Sequence, residues 1–233
     1  MDMAESLLDI GKRNGTDKAN PQRVMLEAYD QHLSEARERE ITLVEIGVLD
    51  GNSLRMWRDY FPRGNINGVD ISPDAARHED KRNRIRVFIG SQNDRDFLKK
   101  MIDEVGHPDV VIDDGSHRAE DQIISMSVLW PLVKPGGWYI VEDIHTSYFE
   151  EYGMGLRRFG ATVEFLKSVV DDVNDIWHQG TPTLTDCESV SFYGETCVIR
   201  KRKIPRVRPA SVLGRDNPAP PRGEVSPDAD PAS

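Results

Sequence analysis

Short apolar runs alternate along the middle of the chain with segments whose apolar residues recur every three or four positions. Five apolar runs predict β-strands, at residues 42–46, 66–71, 85–89, 110–112 and 138–141. The segments between them predict helices: in 53–61, Leu54, Trp57 and Phe61 share one helical face, and 119–130 runs up to Pro131. Regular alternation of strand and helix indicates a parallel sheet with helices on both faces.

Two further patterns flank this alternation. Residues 189–193 and 196–200 predict two strands joined by a tight turn at Gly194-Glu195, which makes an antiparallel hairpin at the edge of the sheet. Before the first strand, apolar residues at helical spacing after Asn20-Pro21 predict an amphipathic helix that covers the domain. These residues are Val24, Met25, Tyr29, Leu33 and Ala36.

The pattern divides the chain into three parts. We expect a helical cap and covering element at residues 1–40, and an α/β core with a mostly parallel seven-stranded sheet at 41–203. Residues 204–233 hold seven of the fourteen prolines and little aliphatic periodicity, which predicts a disordered tail. The basic run Arg200-Lys201-Arg202-Lys203 before it could touch a polyanion, but we interpret it as a solvated strand end.

Composition narrows the possible partners and the compartment. Forty acidic residues against thirty basic ones give a net charge of -10, which disfavours a nucleic-acid partner. Cys187 and Cys197 are too few for a disulfide framework and are expected to pack as small apolar residues. No signal peptide or membrane-spanning run is recognisable, so we expect a cytoplasmic protein with no membrane contact.

A glycine-containing turn follows the first strand, and Gly47, Gly51 and Ser53 lie where the chain passes from strand into helix. This turn resembles motif I of class I methyltransferases. Asp70 ends the second strand nineteen residues after Gly51. Such a turn can be purely steric, and an acid at a strand end is often a loop cap. Together they favour a nucleoside site in which Asp70 binds the ribose hydroxyls. The spacing departs from the dinucleotide fingerprint and suits a methionine tail better than a pyrophosphate.

The third strand is followed by the polar segment Gly90-Ser91-Gln92-Asn93-Asp94. Ser91 and Gln92 are candidates for contacts with the adenine of the cofactor. A polar turn in which Asp94 caps the next helix explains the segment equally well.

Pairs of acids follow the next two predicted strands. Asp113-Asp114 and Glu142-Asp143 should meet at one edge of the sheet if these strands are neighbours. Four carboxylates so close need a compensating cation, and oxygen ligands suit Mg²⁺ better than zinc. The alternatives are that Asp113 holds the amino group of the cofactor, that Glu142 caps a helix, or that the pairs are simply solvated.

Two histidines lie within three residues of these acids. His117 and His145 could each remove a proton from a hydroxyl near neutral pH, although a lone histidine is more often a packing residue. The other histidines have no such neighbours.

At these acids and histidines the sequence resembles a known family. The segments 113–117 and 142–148 are similar to the two signature segments of metal-dependent sugar O-methyltransferases, which act on macrolide deoxysugars and include a mycobacterial enzyme that methylates mannose oligosaccharides. The resemblance implies a Rossmann-like class I methyltransferase fold, S-adenosylmethionine and Mg²⁺. It also places Gly15-Thr16-Asp17-Lys18 near the cofactor.

The resemblance also implies roles for single residues. The implied metal ligands are Asp114, Glu142 and Asp143. His117 is the favoured base and His145 the second candidate. The expected cofactor contacts are Glu45, Gly47, Gly51, Ser53, Asp70, Ser91, Gln92 and Asp113, the last as a cofactor contact rather than a metal ligand.

These expectations combine into a function. The chain is predicted to methylate a hydroxyl of a glycoside, oligosaccharide or natural-product sugar, as in polysaccharide biosynthesis, and to form a homodimer. Aromatic residues in 148–152 and the glycines that follow them suit either a mobile lid over the sugar or a dimer contact. The alternatives are a catechol-type methyltransferase, an enzyme like the cephalosporin hydroxylases, and a non-catalytic cofactor-binding subunit.

Overall fold

A seven-stranded sheet forms the centre of the protein, whose computed structural model describes residues 5–178 and 180–207. Its strands are β1 (Thr42–Ile46), β2 (Asn65–Asp70), β3 (Ile85–Ile89), β4 (Val110–Asp113), β5 (Trp138–Val141), β6 (Cys187–Phe192) and β7 (Cys197–Lys201). The strand order is β3-β2-β1-β4-β5-β7-β6. Strands β1 to β5 are parallel, and β7 runs antiparallel to both β5 and β6.

Helices cover both faces of the sheet. In the described ranges they are α1 (Leu7–Asn14), α2 (Met25–Leu33), α3 (Asn52–Tyr60), α4 (Arg95–Val105), α5 (Ala119–Leu129) and α6 (Thr162–Val173). The first three pack in one apolar cluster with one face of the sheet, and the last three pack in a second cluster with the other face. The sheet therefore lies between two helical layers, as predicted.

The central strands alternate between the two apolar clusters. Leu43, Val110 and Ile140 face the layer of α1 to α3, and their neighbours Val44 and Val111 face the layer of α4 to α6. Because both faces are buried, these strands are continuous apolar runs in the sequence, which is why the runs predicted them well. The hairpin is also confirmed, and Cys187 and Cys197 are buried free thiols.

Other details differ from the sequence interpretation. Helix α1 was not predicted, and Val24 is exposed because helix α2 begins one residue later. The solvated strand end is wrong for Lys201 and Arg202, which are both buried. The first four residues and residues 208–233 of the predicted disordered tail 204–233 lie outside the described residues. No helix among the residues described is long and apolar enough to cross a membrane.

The topology fixes where a site can lie. The chain runs outward from β1 in both directions, through β2 and β3 on one side and through β4 and β5 on the other. Ligands of open α/β sheets bind at the carboxyl ends of the strands where the order reverses. Here that place is the crevice beyond β1 and β4.

The N-terminal segment is fastened to the same region. Asp30 accepts a hydrogen bond from the Tyr60 hydroxyl at 2.5 Å, which ties α2 to α3. The carbonyl oxygen of Gly15 accepts a hydrogen bond from the Asn52 side chain at 3.0 Å, at the start of α3. These contacts hold residues 15–19 over the carboxyl edge of the sheet.

Lys201, the last residue of β7, makes contacts whose effect on stability can be tested. Its Nζ donates to the carbonyl oxygens of Trp130, Pro131 and Val133 at 2.9, 3.1 and 2.9 Å. Lys201→Met would leave these oxygens without their donor, so we expect the free energy of unfolding to fall by about 2 kcal/mol. Thermal denaturation should show a melting temperature lower by roughly 5 °C.

Lys99→Met is the matched control, because Lys99 lies exposed on α4. It should change the free energy of unfolding by less than about 0.5 kcal/mol. Equal losses in the two variants would show that the three carbonyl contacts of Lys201 do not stabilise the fold.

Candidate active site

The glycine turn after β1 packs directly on the end of β4. Gly47 has φ +94, and a Cβ there would lie 2.1 Å from the carbonyl oxygen of Asp114. Gly51 has φ +72 at the start of α3, and a Cβ there would lie 2.6 Å from the ring of His78. Both positions therefore require glycine, for the backbone angle and for the close approach. His78 was set aside in the sequence, yet it lies against this turn.

Asp70 closes the turn from the end of β2. Its Oδ2 accepts hydrogen bonds from the backbone N–H groups of Val48 and Leu49 at 2.9 and 3.2 Å. Its Oδ1 accepts from the backbone N–H of Ser72 at 2.8 Å. The side chain is only half-buried. Asp70 thus fixes the conformation of the turn and remains accessible beside it.

Glu45 and Ser53 lie beneath the turn. The Glu45 carboxylate is fully buried and accepts hydrogen bonds from Ser53 Oγ at 2.7 Å and Trp57 Nε1 at 3.1 Å. Burial raises the pKa of Glu45 to about 7. Glu45 and Ser53, two of the predicted cofactor contacts, are therefore hydrogen-bonded to each other and link β1 to α3.

Asp113 is separated from the other acids. It is fully buried and accepts hydrogen bonds from Ser125 Oγ, from Gln92 Nε2 at 3.0 Å and from the Tyr139 hydroxyl at 3.3 Å. Burial raises its pKa to about 6. Gln92 also accepts from the Ser116 N–H at 2.7 Å. Gln92 and Asp113 therefore support the loop that carries the next acid, and the expected convergence of four carboxylates does not include Asp113.

The rest of the polar segment after β3 behaves as a turn. Ser91 is half-buried and its hydroxyl donates to Asn93 at 2.9 Å. Asp94 accepts from the N–H groups of Asp96 and Phe97 at 3.0 Å and caps α4. The helix-cap interpretation of Asp94 is confirmed.

Three acids meet around a buried lysine. Lys18 Nζ contacts Asp114 Oδ2, lies 2.7 Å from Glu142 Oε2 and lies 3.7 Å from Glu45 Oε1. The compensating cation that the sequence led us to expect as a metal is, in this cluster, an ammonium group. Burial alone would lower the pKa of Lys18, but the three carboxylates raise it well above its usual value. Burial, with the neighbouring Asp114, raises the pKa of Glu142 to about 8.

A second group of side chains shares Asp114. One ligand atom each of Asp114, His117 and Asp143 lie within 4.8 Å of one another. His117 Nε2 is 3.5 Å from Asp143 Oδ2. Both residues have left-handed backbone angles, φ 57 and φ 50, and the Thr146 hydroxyl donates to the His117 carbonyl oxygen at 3.1 Å. This contact joins the loop after β4 to the loop after β5.

Asp143 also belongs to a third group, with His145 and Glu195. Arg23 bridges two of its acids, with Nη2 3.3 Å from Asp143 Oδ1 and Nε 3.0 Å from Glu195 Oε2. Lys18, Arg23 and Glu195 are members of the site that were not predicted from the sequence. Only Lys18 carried a signal, as part of the segment 15–18 placed near the cofactor.

The acids keep oxygens that could bind a divalent metal ion. Glu142 Oε1 is buried and has no hydrogen-bond partner in the described part of the chain. Asp143 Oδ1 is likewise buried and has ion-pair contacts but no hydrogen bond. Lys18 contacts Asp114 Oδ2 and makes no contact with Asp114 Oδ1. Carboxylate oxygens of this kind are the ligands that Mg²⁺ prefers, so the chemistry of the donors fits the metal. Asp114 lies in one group with Glu142 and in another with Asp143, whereas Glu142 and Asp143 share no group.

An apolar segment borders the histidines. The Phe149 ring meets the His145 ring edge to face at 5.7 Å between centroids. Several large apolar side chains of the segment are exposed, most of all Phe159 at 95%. They are Tyr148, Phe149, Leu156 and Phe159. Phe149 thus places a partly exposed ring beside His145, and the other three side chains are exposed within fourteen residues of it along the chain.

Comparison with known proteins defines the domain. Residues 44–144 match a family model described as a methyltransferase domain. The chain also aligns with the solved structure of the MycE methyltransferase of mycinamycin biosynthesis, in complex with Mg, SAH and mycinamycin VI, with a TM-score of 0.79 and 31% identity over 85% of this chain and 54% of that one. This chain contains a methyltransferase domain with the class I fold.

Curated relatives of this methyltransferase domain are sugar O-methyltransferases. An 8-demethyl-8-alpha-L-rhamnosyl tetracenomycin-C 2'-O-methyltransferase of Streptomyces olivaceus is 35% identical over 84% of this chain and 54% of its own length. Mycinamicin VI 2''-O-methyltransferase of Micromonospora griseorubida is 38% identical over 66% of this chain and 40% of its own. The chain thus spans about half the length of the curated relatives it matches.

The raised pKa values predict how the stability of the metal-free domain depends on pH. In the folded state Glu45 and Glu142 have pKa values of about 7 and 8, above the ordinary value of 4.5. Between pH 4.5 and these values, the folded state therefore binds more protons than the unfolded state. Stability should therefore be highest near pH 4.5 on this account and fall as the pH rises to about 8, by at most about 1.4 kcal/mol per pH unit for each carboxyl.

Glu142→Gln removes one of these titrating groups. In EDTA, the melting temperature of this variant should fall less between pH 6 and 8.5 than that of the wild type. Glu120→Gln, on the exposed surface of α5, should fall as much as the wild type. An identical decline in all three proteins would contradict a raised pKa at Glu142.

Proposed function

We propose that this chain is an S-adenosylmethionine-dependent and Mg²⁺-dependent O-methyltransferase that acts on a sugar hydroxyl. The observation that carries the proposal is the group of Asp114, His117 and Asp143, which joins acids and a base at the edge where the glycine turn lies. The similarity to methyltransferases named for rhamnosyl and mycinamicin substrates supports a sugar as the acceptor.

The cofactor is proposed to bind along the glycine turn. Gly47 and Gly51 have no side chain, so the methionine tail can approach the backbone closely. Asp70 accepts hydrogen bonds from the ribose hydroxyls. Ser91 lies on the adenine side. The other predicted contacts are Glu45, Ser53, Gln92 and Asp113, which are buried with protein partners and so are proposed to hold the walls of the pocket. The MycE structures, which contain Mg and SAH, support this cofactor and metal.

Asp114, Glu142 and Asp143 are the proposed metal ligands. When bound, Mg²⁺ lowers the pKa of an acceptor hydroxyl. The buried Glu142 Oε1, which has no hydrogen-bond partner among the described residues, supports this ligand set.

His117 is proposed as the general base, with Nε2 as the nitrogen that takes up the proton. This nitrogen lies 3.5 Å from Asp143 Oδ2, and His117 belongs to the group that contains Asp114, whereas His145 groups with Asp143 and Glu195. The proton of the hydroxyl passes to His117, the hydroxyl oxygen forms a bond to the methyl carbon, and the bond from that carbon to sulfur breaks. The products are the methyl ether and S-adenosylhomocysteine.

The net charge of the chain and the exposed aromatic side chains near the site favour a neutral acceptor that carries a sugar. A net charge of -10 disfavours nucleic acid. The exposed aromatic side chains in 148–159 would stack on a sugar or cover its aglycone; a contact between two copies of the chain stays the alternative prediction for this segment.

A methyl-transfer assay tests the proposed function. The full chain is incubated with radiolabelled S-adenosylmethionine and a panel of rhamnosides, deoxysugar glycosides and mannose oligosaccharides, with catechols as a parallel panel. Label transfer to a sugar, abolished by EDTA and restored by Mg²⁺, is expected. Transfer to catechols alone, or iron-dependent oxygen consumption without methyl transfer, would overturn the proposal.

Substitution of the histidines tests the base. Asparagine is the chosen residue because it tolerates the left-handed backbone of His117. His117→Asn should lower kcat by about 100-fold or more, since the proton acceptor is lost. His145→Asn should lower it by less than tenfold, and His107→Asn, on an exposed loop, should leave it unchanged.

The assay is run at saturating S-adenosylmethionine, with binding of S-adenosylhomocysteine measured separately by calorimetry. Unchanged cofactor binding in His117→Asn would show that the site is intact. A larger loss in His145→Asn than in His117→Asn would assign the base to His145 instead.

A further inference from the structure

Lys18 is a buried residue at the centre of the site to which the reaction assigns no role. It is 2% exposed and reaches across 96 residues of sequence to Asp114 and across 124 to Glu142. From these contacts we infer that Lys18 is a positioning residue for the metal: it holds one oxygen of Asp114 and one of Glu142, so that the other oxygen of each faces the ion. This inference rests on the proposed function, and specifically on its metal site.

The contacts divide the oxygens of the two ligands. Lys18 Nζ contacts Asp114 Oδ2 and lies 2.7 Å from Glu142 Oε2. Glu142 Oε1 is buried without a hydrogen-bond partner in the ranges described, and Asp114 Oδ1 is not used by the lysine. One ammonium group thus holds one oxygen of each carboxylate and makes no contact with the other oxygen of either. Partners of this kind, which orient metal ligands without touching the metal, tune its binding.

Charge also requires a cation here. Glu45, Asp114 and Glu142 place three carboxylates around one point, and Glu45 and Glu142 are fully buried. Buried carboxylates that lack a positive partner repel one another and turn away or take up protons. With Lys18 in place they can stay together before the metal arrives.

The lysine is itself held in place. Thr16 Oγ1 accepts a hydrogen bond from the Lys18 N–H at 3.4 Å and caps the short turn Asp17–Ala19. Gly15 is bonded to Asn52 at the start of α3, so the segment cannot swing away without breaking that contact. The position of Lys18 is therefore set by the fold and not by the metal.

Metal binding by a charge-deleted variant tests the inference. Lys18→Met keeps an unbranched side chain as far as the ε position and removes the ammonium group. Lys12→Met, exposed on α1, is the matched control. Mn²⁺ affinity is measured by electron paramagnetic resonance on the full chain, with circular dichroism as the check of folding. Lys18→Met should bind Mn²⁺ at least about tenfold more weakly than the wild type, and Lys12→Met should bind as the wild type does.

Equal affinity in Lys18→Met would overturn the inference and leave the proposed function standing. Tighter binding would also overturn it, because it would make Lys18 a competitor for the place of the metal. Failure of the wild type to bind Mn²⁺ would overturn both this inference and the metal part of the proposed function.

A crystal structure of the wild type with Mn²⁺ and S-adenosylhomocysteine gives a second test, which does not depend on the folding of a variant. Lys18 Nζ should stay within hydrogen-bond distance of Asp114 and Glu142, with the ion on their other oxygens. A lysine displaced from both acids by the ion would overturn the inference.

Discussion

The need to neutralise buried carboxylates shapes this end of the molecule. Glu45 lies in β1, and Asp114 and Glu142 directly follow β4 and β5. Their charges could not share one buried place without a positive partner. The chain provides that partner by bringing its N-terminal segment over the sheet edge, where Lys18 meets all three acids. The helices α1 and α2, which pack on α3, therefore hold the site together as well as covering the core.

Two layers of polar groups follow from this arrangement. The inner layer is buried and paired within the protein: Asp113 with Gln92, and Glu45 with Ser53. The outer layer is partly accessible and includes Asp143, whose carboxylate faces two histidines and an arginine. The inner layer fixes the strand ends, and the outer layer offers the groups that a substrate could reach. The accessible groups thus depend for their position on residues that are buried behind them.

The sequence predicted the sheet and the meeting of acidic residues at one of its edges, but not the contacts that each acid makes there. Strands buried on both faces are continuous apolar runs, and parallel strands bring the residues that follow them to a common edge, so the acids after β4 and β5 could be placed together. Adjacent residues at a strand end point in opposite directions, so the sequence could not tell that Asp113 turns inward while Asp114 joins the lysine. Lys18 could not be paired with either acid, because no local pattern connects residues 96 or 124 positions apart.

The contact between Gly47 and the Asp114 carbonyl oxygen limits how such a protein can diversify. The backbone of the glycine turn contacts the backbone at Asp114 directly, with no side chain between them. Asp114, which follows β4, is a proposed metal ligand. The two halves of the site must therefore keep one fixed spacing, and no change of residue at position 47 can adjust it. New acceptors would have to be accommodated by variation elsewhere, and the exposed apolar segment beside His145 is free of any such restriction. Evolution toward other substrates can alter that border while the reacting centre stays the same.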